Sequence, residues 1–185
     1  ANDTGVAVAQ ALVGSHPERI GRLVLTSCDA FEKYPPTPQR YLLLAARSDL
    51  LMRFVAWSAQ FRFVQRLPTA YGWVTSRAVE PAIMRSYTEP CRTLPLVRRD
   101  LARLLLAVDT KDTFAAAERL RGFDRPALVL WADGDRIFQR EHGRRLADLL
   151  PQGRFELVRD SRTFIPEEQP AALVAAVREF LAATA

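Results

Sequence analysis

At 185 residues, with 49% hydrophobic and 25% charged side chains, the chain holds enough apolar material for one ordinary domain and too much for a disordered segment. Its net charge of +5 rests on arginine, Lys33 and Lys111 being the only lysines, and the arginines are scattered apart from Arg98-Arg99 and Arg144-Arg145. A nucleic-acid-binding face needs clustered charge and is not expected; arginine on solvated helix faces is the plainer reading.

The first residues, Ala1-Asn2-Asp3-Thr4-Gly5, run directly into an apolar helical stripe (Val6, Val8, Ala9, Leu12, Val13) that His16-Pro17 stops. Residues 22–27 read as a short buried strand, and helix, turn and strand together suggest half of a parallel β-α-β unit. A loop with Pro35, Pro36 and Pro38 spans 29–39. Residues 40–120 are helical in pattern, with prolines 68, 81, 90 and 95 expected to divide them into separate helices. A plain crossover needs one helix, so this run reads as an inserted lid.

A second buried strand covers 126–131 and ends at Ala132-Asp133-Gly134-Asp135; a helix follows over 140–150. A third strand lies at 154–158, and a closing helix carries Leu173, Val177, Phe180 and Leu181 on one face. The resulting division is core at 1–34, lid at 35–121 and core again at 122–185. No apolar run is long enough for a membrane span. Cys28 and Cys91 show no metal spacing and read as buried thiols of a reducing, cytoplasmic compartment.

Three positions fall where strands of a parallel sheet end, the edge at which such folds place their chemistry. Small–x–acid–x–small before a helix is the pattern of a nucleophile elbow, a strained turn that projects one side chain, here Asp3. The Thr4 amide, at the helix N-terminus, is placed as an oxyanion donor. Asp135 follows the second strand and Thr163 the third. Asp3 could equally cap its helix, and Asp135 the loop after it. His16 and His142 are expected at the surface, and Trp57 and Trp73 within the packing of the lid.

The order of Asn2-Asp3-Thr4-Gly5, His16-Pro17-Glu18-Arg19-Ile20, Trp131-Ala132-Asp133-Gly134-Asp135 and Pro166-Glu167-Glu168-Gln169-Pro170 resembles the α/β-hydrolase superfamily over essentially the whole chain. The fold expected from this likeness is an α/β-hydrolase core, truncated ahead of the elbow, with an inserted helical lid. An aspartate at the elbow resembles the haloalkane dehalogenase and epoxide hydrolase branch, in which a carboxylate attacks carbon and a histidine-activated water releases the ester. The likeness implies Asp3 as nucleophile and Asp135 as the acid that orients the histidine. It also places the family histidine at Thr163, a hydroxyl that cannot serve as a base near neutral pH. Thr4 further stands where the dehalogenases often carry a halide-binding tryptophan. The expected activity is hydrolysis of a small, largely apolar molecule without cofactor or metal, with release of the ester in doubt. The alternative is a non-catalytic binding or interaction protein of the same fold. Only three strands are legible and the upstream oxyanion loop is missing, so the isolated chain is expected to be inactive and aggregation-prone.

Overall fold

The computed structural model describes residues 1–28, 31, 36–107 and 110–184. In chain order the elements are α1 (Gly5–Ser15), β1 (Leu23–Thr26), α2 (Tyr41–Ala45), α3 (Asp49–Ser58), α4 (Arg62–Gln65), α5 (Pro81–Thr93), α6 (Pro95–Ala107), α7 (Thr110–Arg119), β2 (Ala127–Ala132), α8 (Arg140–Leu149), β3 (Gly153–Val158), α9 (Ile165–Glu168) and α10 (Pro170–Ala183). The three strands form one parallel sheet in the order β1-β2-β3. Leu23 pairs with Ala127 across one junction, and Ala127 with Gly153 across the other. The first residues of the chain lie along the outer edge of β1. Asn2 bridges Thr26 in parallel, the Thr26 amide donates to the Ala1 carbonyl (2.9 Å), and the Asp3 amide donates to the Ser27 carbonyl (3.0 Å). Asp3 is therefore reached from an extended segment in register with the sheet, and α1 departs immediately after it.

β2 is buried along its whole length because both faces are covered. Ala127, Val129 and Trp131 point to one side, into a core shared with Val6 and Val13 of α1, Ala117 of α7 and Leu146 of α8. Leu128, Leu130 and Ala132 point to the other, against Val158, Ile165 and Phe180. Strand side chains alternate in direction, so an unbroken apolar hexapeptide is what a doubly covered strand requires. Trp131 places its indole N–H on the Phe138 carbonyl (3.0 Å), which satisfies its single polar atom at full burial.

Residues 36–107 fold as a helical segment with a small core of its own, where Ala45, Ala46 and Met52 meet Val55, Ala102 and Leu105. It is tied to the sheet edge through the Phe164 amide, which donates to the Val74 carbonyl (3.1 Å). Pro81 and Pro95 open α5 and α6 at their first positions, where a missing N–H costs nothing. Pro90 does not divide the run as expected: it sits inside α5, which continues to Thr93. Most of the proline loop expected at 29–39 lies outside the described residues, as does the 34/35 boundary; Thr37–Gln39 forms a single 3-10 turn. Leu181, expected on the buried stripe of α10, is exposed, whereas Phe180 is buried. Cys28 is buried as expected, but Cys91 is only half-buried.

α8 reaches the sheet through Gly143. A methyl group there would stand 2.5 Å from the Trp131 ring and 2.9 Å from the Phe155 ring, closer than packed atoms allow. Gly143→Ala is expected to destabilise the fold by about 1–3 kcal/mol through this overpacking, read as a lowered midpoint in urea unfolding.

Candidate active site

Asp3 occupies a left-handed backbone conformation, with φ of 51°. Few side chains other than Asn and Asp accept that geometry readily, and its presence between a strand end and a helix makes the turn tight. The first helical residue is Gly5, whose Cβ position faces open space; the helix cap is Thr4, and no side chain caps the helix. Asp3 is thus not the cap of α1. Its carboxyl group is pushed up from the ordinary 3.8 to about 6, first by burial; the Thr4 amide opposes this by donating to the carboxylate, and the neighbouring Asp135 charge adds to it. The Thr4 amide, expected as an oxyanion donor, therefore serves Asp3 itself in this state.

Asp135 has a denser set of donors. Its Oδ1 accepts from the Ile137 and Phe138 amides, each at 2.9 Å, and the Thr163 hydroxyl reaches Oδ1 at 3.1 Å and Oδ2 at 3.2 Å. Ser27 adds a further side-chain hydrogen bond. Burial still raises this carboxyl above its usual range, and these donors act against that rise. The structure thus brings Asp3, Asp135 and Thr163 to one edge of the sheet. Thr163 is completely buried, with its hydroxyl turned onto Asp135. Its carbonyl accepts from the Asn2 side chain (2.8 Å), which also donates to the Thr26 hydroxyl (2.7 Å). Asn2, which no sequence reading singled out, links the turn at Asp3 to the loop after β3.

A cavity of about 360 Å³ opens over Asp3, walled by Tyr71, Tyr87, Phe164, Pro166 and Glu167 and floored by Asn2 to Gly5. The two tyrosine rings each meet Phe164 edge-on at 6.2 Å. The Tyr87 hydroxyl donates to Glu167, which with burial pushes its own ionisation up to about 12. The walls are therefore largely aromatic, and the lining carries two carboxyl groups, Asp3 at the turn and Glu167 bonded to the Tyr87 hydroxyl. His16 is exposed beside Glu18 (3.5 Å) at the far end of α1. His142 departs from expectation: it is buried, its ring 6.2 Å from that of Phe31, and it does not line the Asp3 cavity. Among the described residues, no three His, Cys, Asp or Glu side chains converge as a metal cradle, and no helix is long and apolar enough to cross a membrane.

The raised Asp3 carboxyl has a consequence for stability. The folded state holds this proton more tightly than the unfolded chain, so stability falls as pH rises from about 3.8 to about 6 and then levels. Asp3→Asn keeps a residue suited to positive φ and removes the buried charge. The variant is expected to exceed the parent in stability by on the order of 2 kcal/mol at pH 8, the difference closing below pH 4, as read by thermal melts across that range.

Comparison with known proteins agrees with this architecture. The sequence profile of the alpha/beta hydrolase fold matches residues 1–170. The chain is 26% identical over 195 residues to the cis-3-alkyl-4-alkyloxetan-2-one decarboxylase of Xanthomonas campestris pv. campestris, covering 97% of this chain and 61% of the relative. Among solved structures, an alpha/beta hydrolase fold protein from Burkholderia ambifaria superposes with a TM-score of 0.72 at 20% identity, over 96% of this chain and 63% of that one. The enol-lactonase from Burkholderia xenovorans LB400 superposes with a TM-score of 0.69 at 22% identity, over 98% and 64%. The chain thus spans 61–64% of the length of these three relatives. With its parallel sheet, its strand–turn–helix at Asp3 and a profile match over most of its length, the chain belongs to the alpha/beta hydrolase fold family.

Proposed function

We propose that this chain carries the active centre of a hydrolase that acts on a small, largely apolar molecule, with Asp3 as the nucleophile. The observation that carries the reading is the placement of Asp3 on a positive-φ turn at the base of an aromatic cavity. That geometry has the character of a nucleophile elbow. Residues 35–121 would act as a lid on a core of 1–34 and 122–185. Tyr71 and Tyr87 of that segment wall the cavity, whereas α7 at its end packs on the core through Ala117.

In the proposed first step a carboxylate oxygen of Asp3 attacks an electrophilic carbon. The bond from that carbon to its leaving group breaks, and the leaving group takes the electron pair. The product is an ester on Asp3, whose carbonyl oxygen keeps the Thr4 amide as donor. Hydrolysis of that ester requires a base for water, and Thr163 supplies none. One substrate class avoids the need. The relative from Xanthomonas is named for decarboxylating a 3,4-dialkyl oxetan-2-one. If Asp3 attacked such a ring at the carbon bearing the ring oxygen, the ring would open to an alkyl ester and a free carboxylate. Loss of carbon dioxide would then send the C–C pair into a new double bond and expel the Asp3 carboxylate, with neither water nor base consumed. A second reading, a binding protein that has lost turnover, is favoured by the hydrogen bonding of Thr163 to Asp135 at the place the family gives to histidine.

Intact-mass measurement after incubation of the full-length protein with a chloroalkane, an epoxide, a p-nitrophenyl ester and a dialkyl oxetan-2-one separates these readings. An adduct that maps to Asp3 and disappears in Asp3→Asn, or alkene release from the oxetanone that the same variant abolishes, supports the nucleophile. Absence of reaction with all four supports the binding protein. The rate of adduct formation is expected to rise with pH through about 6 and then to level, since only the carboxylate attacks. Thr163→His is expected to convert a stalled adduct into repeated turnover, measured by product per enzyme, at some cost in stability because the site is fully buried.

A further inference from the structure

Beside the Asp3 cavity, and sharing Tyr71 with it, lies a second cavity of about 470 Å³. Its wall carries Arg62, Arg66, Arg77, Arg85, Arg136 and Arg162 and no carboxylate. These arginines come from α4 and its C-terminus, the stretch before α5, α5 itself, the loop after β2 and the loop after β3, so no single helix face explains their convergence. Among the described residues, none of the six guanidinium groups forms an ion pair with an Asp or Glu side chain, although Glu168 accepts from the backbone amides of Arg77 and Arg162. Arg77, Arg136 and Arg162 also border a neighbouring cavity that contains Asp133 and Asp160, but they form no ion pair with either. Arg62 and Arg66 stand four residues apart, a spacing at which like charges on a helix destabilise it.

Arg162 differs from the others in being held in place. Its Nη1 donates to the Gly72 carbonyl at 2.8 Å and to the Thr75 carbonyl at 2.9 Å, and its backbone amide donates to Glu168 at 2.6 Å. One half-buried guanidinium held by backbone carbonyls and five exposed ones line the same cavity. A guanidinium presents several donors in a planar fork that suits carboxylate and phosphate oxygens. No ion pair neutralises any of the six guanidinium groups, Glu168 meeting Arg77 and Arg162 only through their backbone amides, so a multiply charged oxyanion would relieve their mutual repulsion.

We propose that this cavity is a binding site for a small multivalent oxyanion, a phosphate or carboxylate group, lying next to the Asp3 cavity and separated from it by Tyr71. Its assignment does not depend on reaction at Asp3.

Isothermal titration calorimetry of the full-length protein with pyrophosphate and with citrate tests it. Saturable one-to-one binding of either probe at 50 mM salt is expected, weakened at least fivefold at 300 mM. The pair Arg62→Ala/Arg85→Ala should weaken that binding at least tenfold with the melting temperature unchanged. A preference for pyrophosphate assigns the site to phosphate and a preference for citrate to carboxylate, and both support it. Binding of neither probe overturns the proposal. So does an equal loss in the control pair Arg140→Ala/Arg178→Ala, which lies outside the cavity, or displacement of both probes by a single-stranded oligonucleotide that binds a hundredfold more tightly. Because no probe reacts with the protein, any of these failures leaves the assignment of Asp3 intact.

Discussion

The structure depends on β2 being paired on both edges and covered on both faces. Parallel pairing to β1 and β3 sets a common direction for the three strands, so their carboxyl ends open at one edge of the sheet. α8 and α10 are then placed by the two faces of the same six residues, Ala127–Ala132. Asp135 and Thr163 arrive at that edge because each follows its strand by a short loop. Asp3 arrives there because Ala1 and Asn2 hydrogen-bond to β1. An apolar strand that tolerates no polar side chain therefore determines where the polar side chains of the site meet.

The two carboxyl groups at this edge are unequal. Asp135 is surrounded by backbone amides and hydroxyls that favour its ionised form, whereas Asp3 receives one amide and lies in a largely aromatic cavity that also holds Glu167. Each environment penalises charge through burial, but only one supplies several compensating donors. Of such a pair, the carboxylate with fewer donors is the less stabilised by its surroundings and the better suited to form a bond to carbon. The proposed division of labour would follow from which loop ends in a ring of amides and which in a single tight turn.

Much of this was legible in the sequence. The strands expected at 22–27, 126–131 and 154–158 differ by a residue or two from those observed, because short apolar runs between turn residues leave few alternatives. Asp135 and Thr163 stand at short offsets after such runs and Asp3 within a small–x–acid–x–small pattern ahead of α1, and the fold gathers the three at one edge of the sheet. The rest arises from contacts between distant segments. Pro90 reads as a helix breaker in the sequence, yet α5 carries it inside and runs on to Thr93. His142 was placed at the surface because a histidine carries no sign of the Phe31 ring that covers it. Asn2 carries no role of its own in the sequence, and its cross-link to Thr163 spans a separation of 161 residues. The arginines of the second cavity gave no warning either, being scattered in sequence and gathered only by the fold.

The loop that follows β3 has one more property. Phe164 is bonded to Val74, Arg162 to Gly72 and Thr75, and Glu168 to the backbone of Ser76 and Arg77 as well as to the Ser76 hydroxyl. These bonds stitch residues 72–77 of the helical segment to the stretch that carries Thr163. Lifting one without the other would break all of them, including several to a carboxylate, so the two travel together. Tyr71 lies at one end of the stitched region and the hydroxyl facing Asp135 at the other. The position of Tyr71 over the Asp3 cavity and the setting of the hydroxyl on Asp135 are therefore mechanically linked, since a displacement of residues 72–77 strains the loop that carries both Phe164 and Thr163.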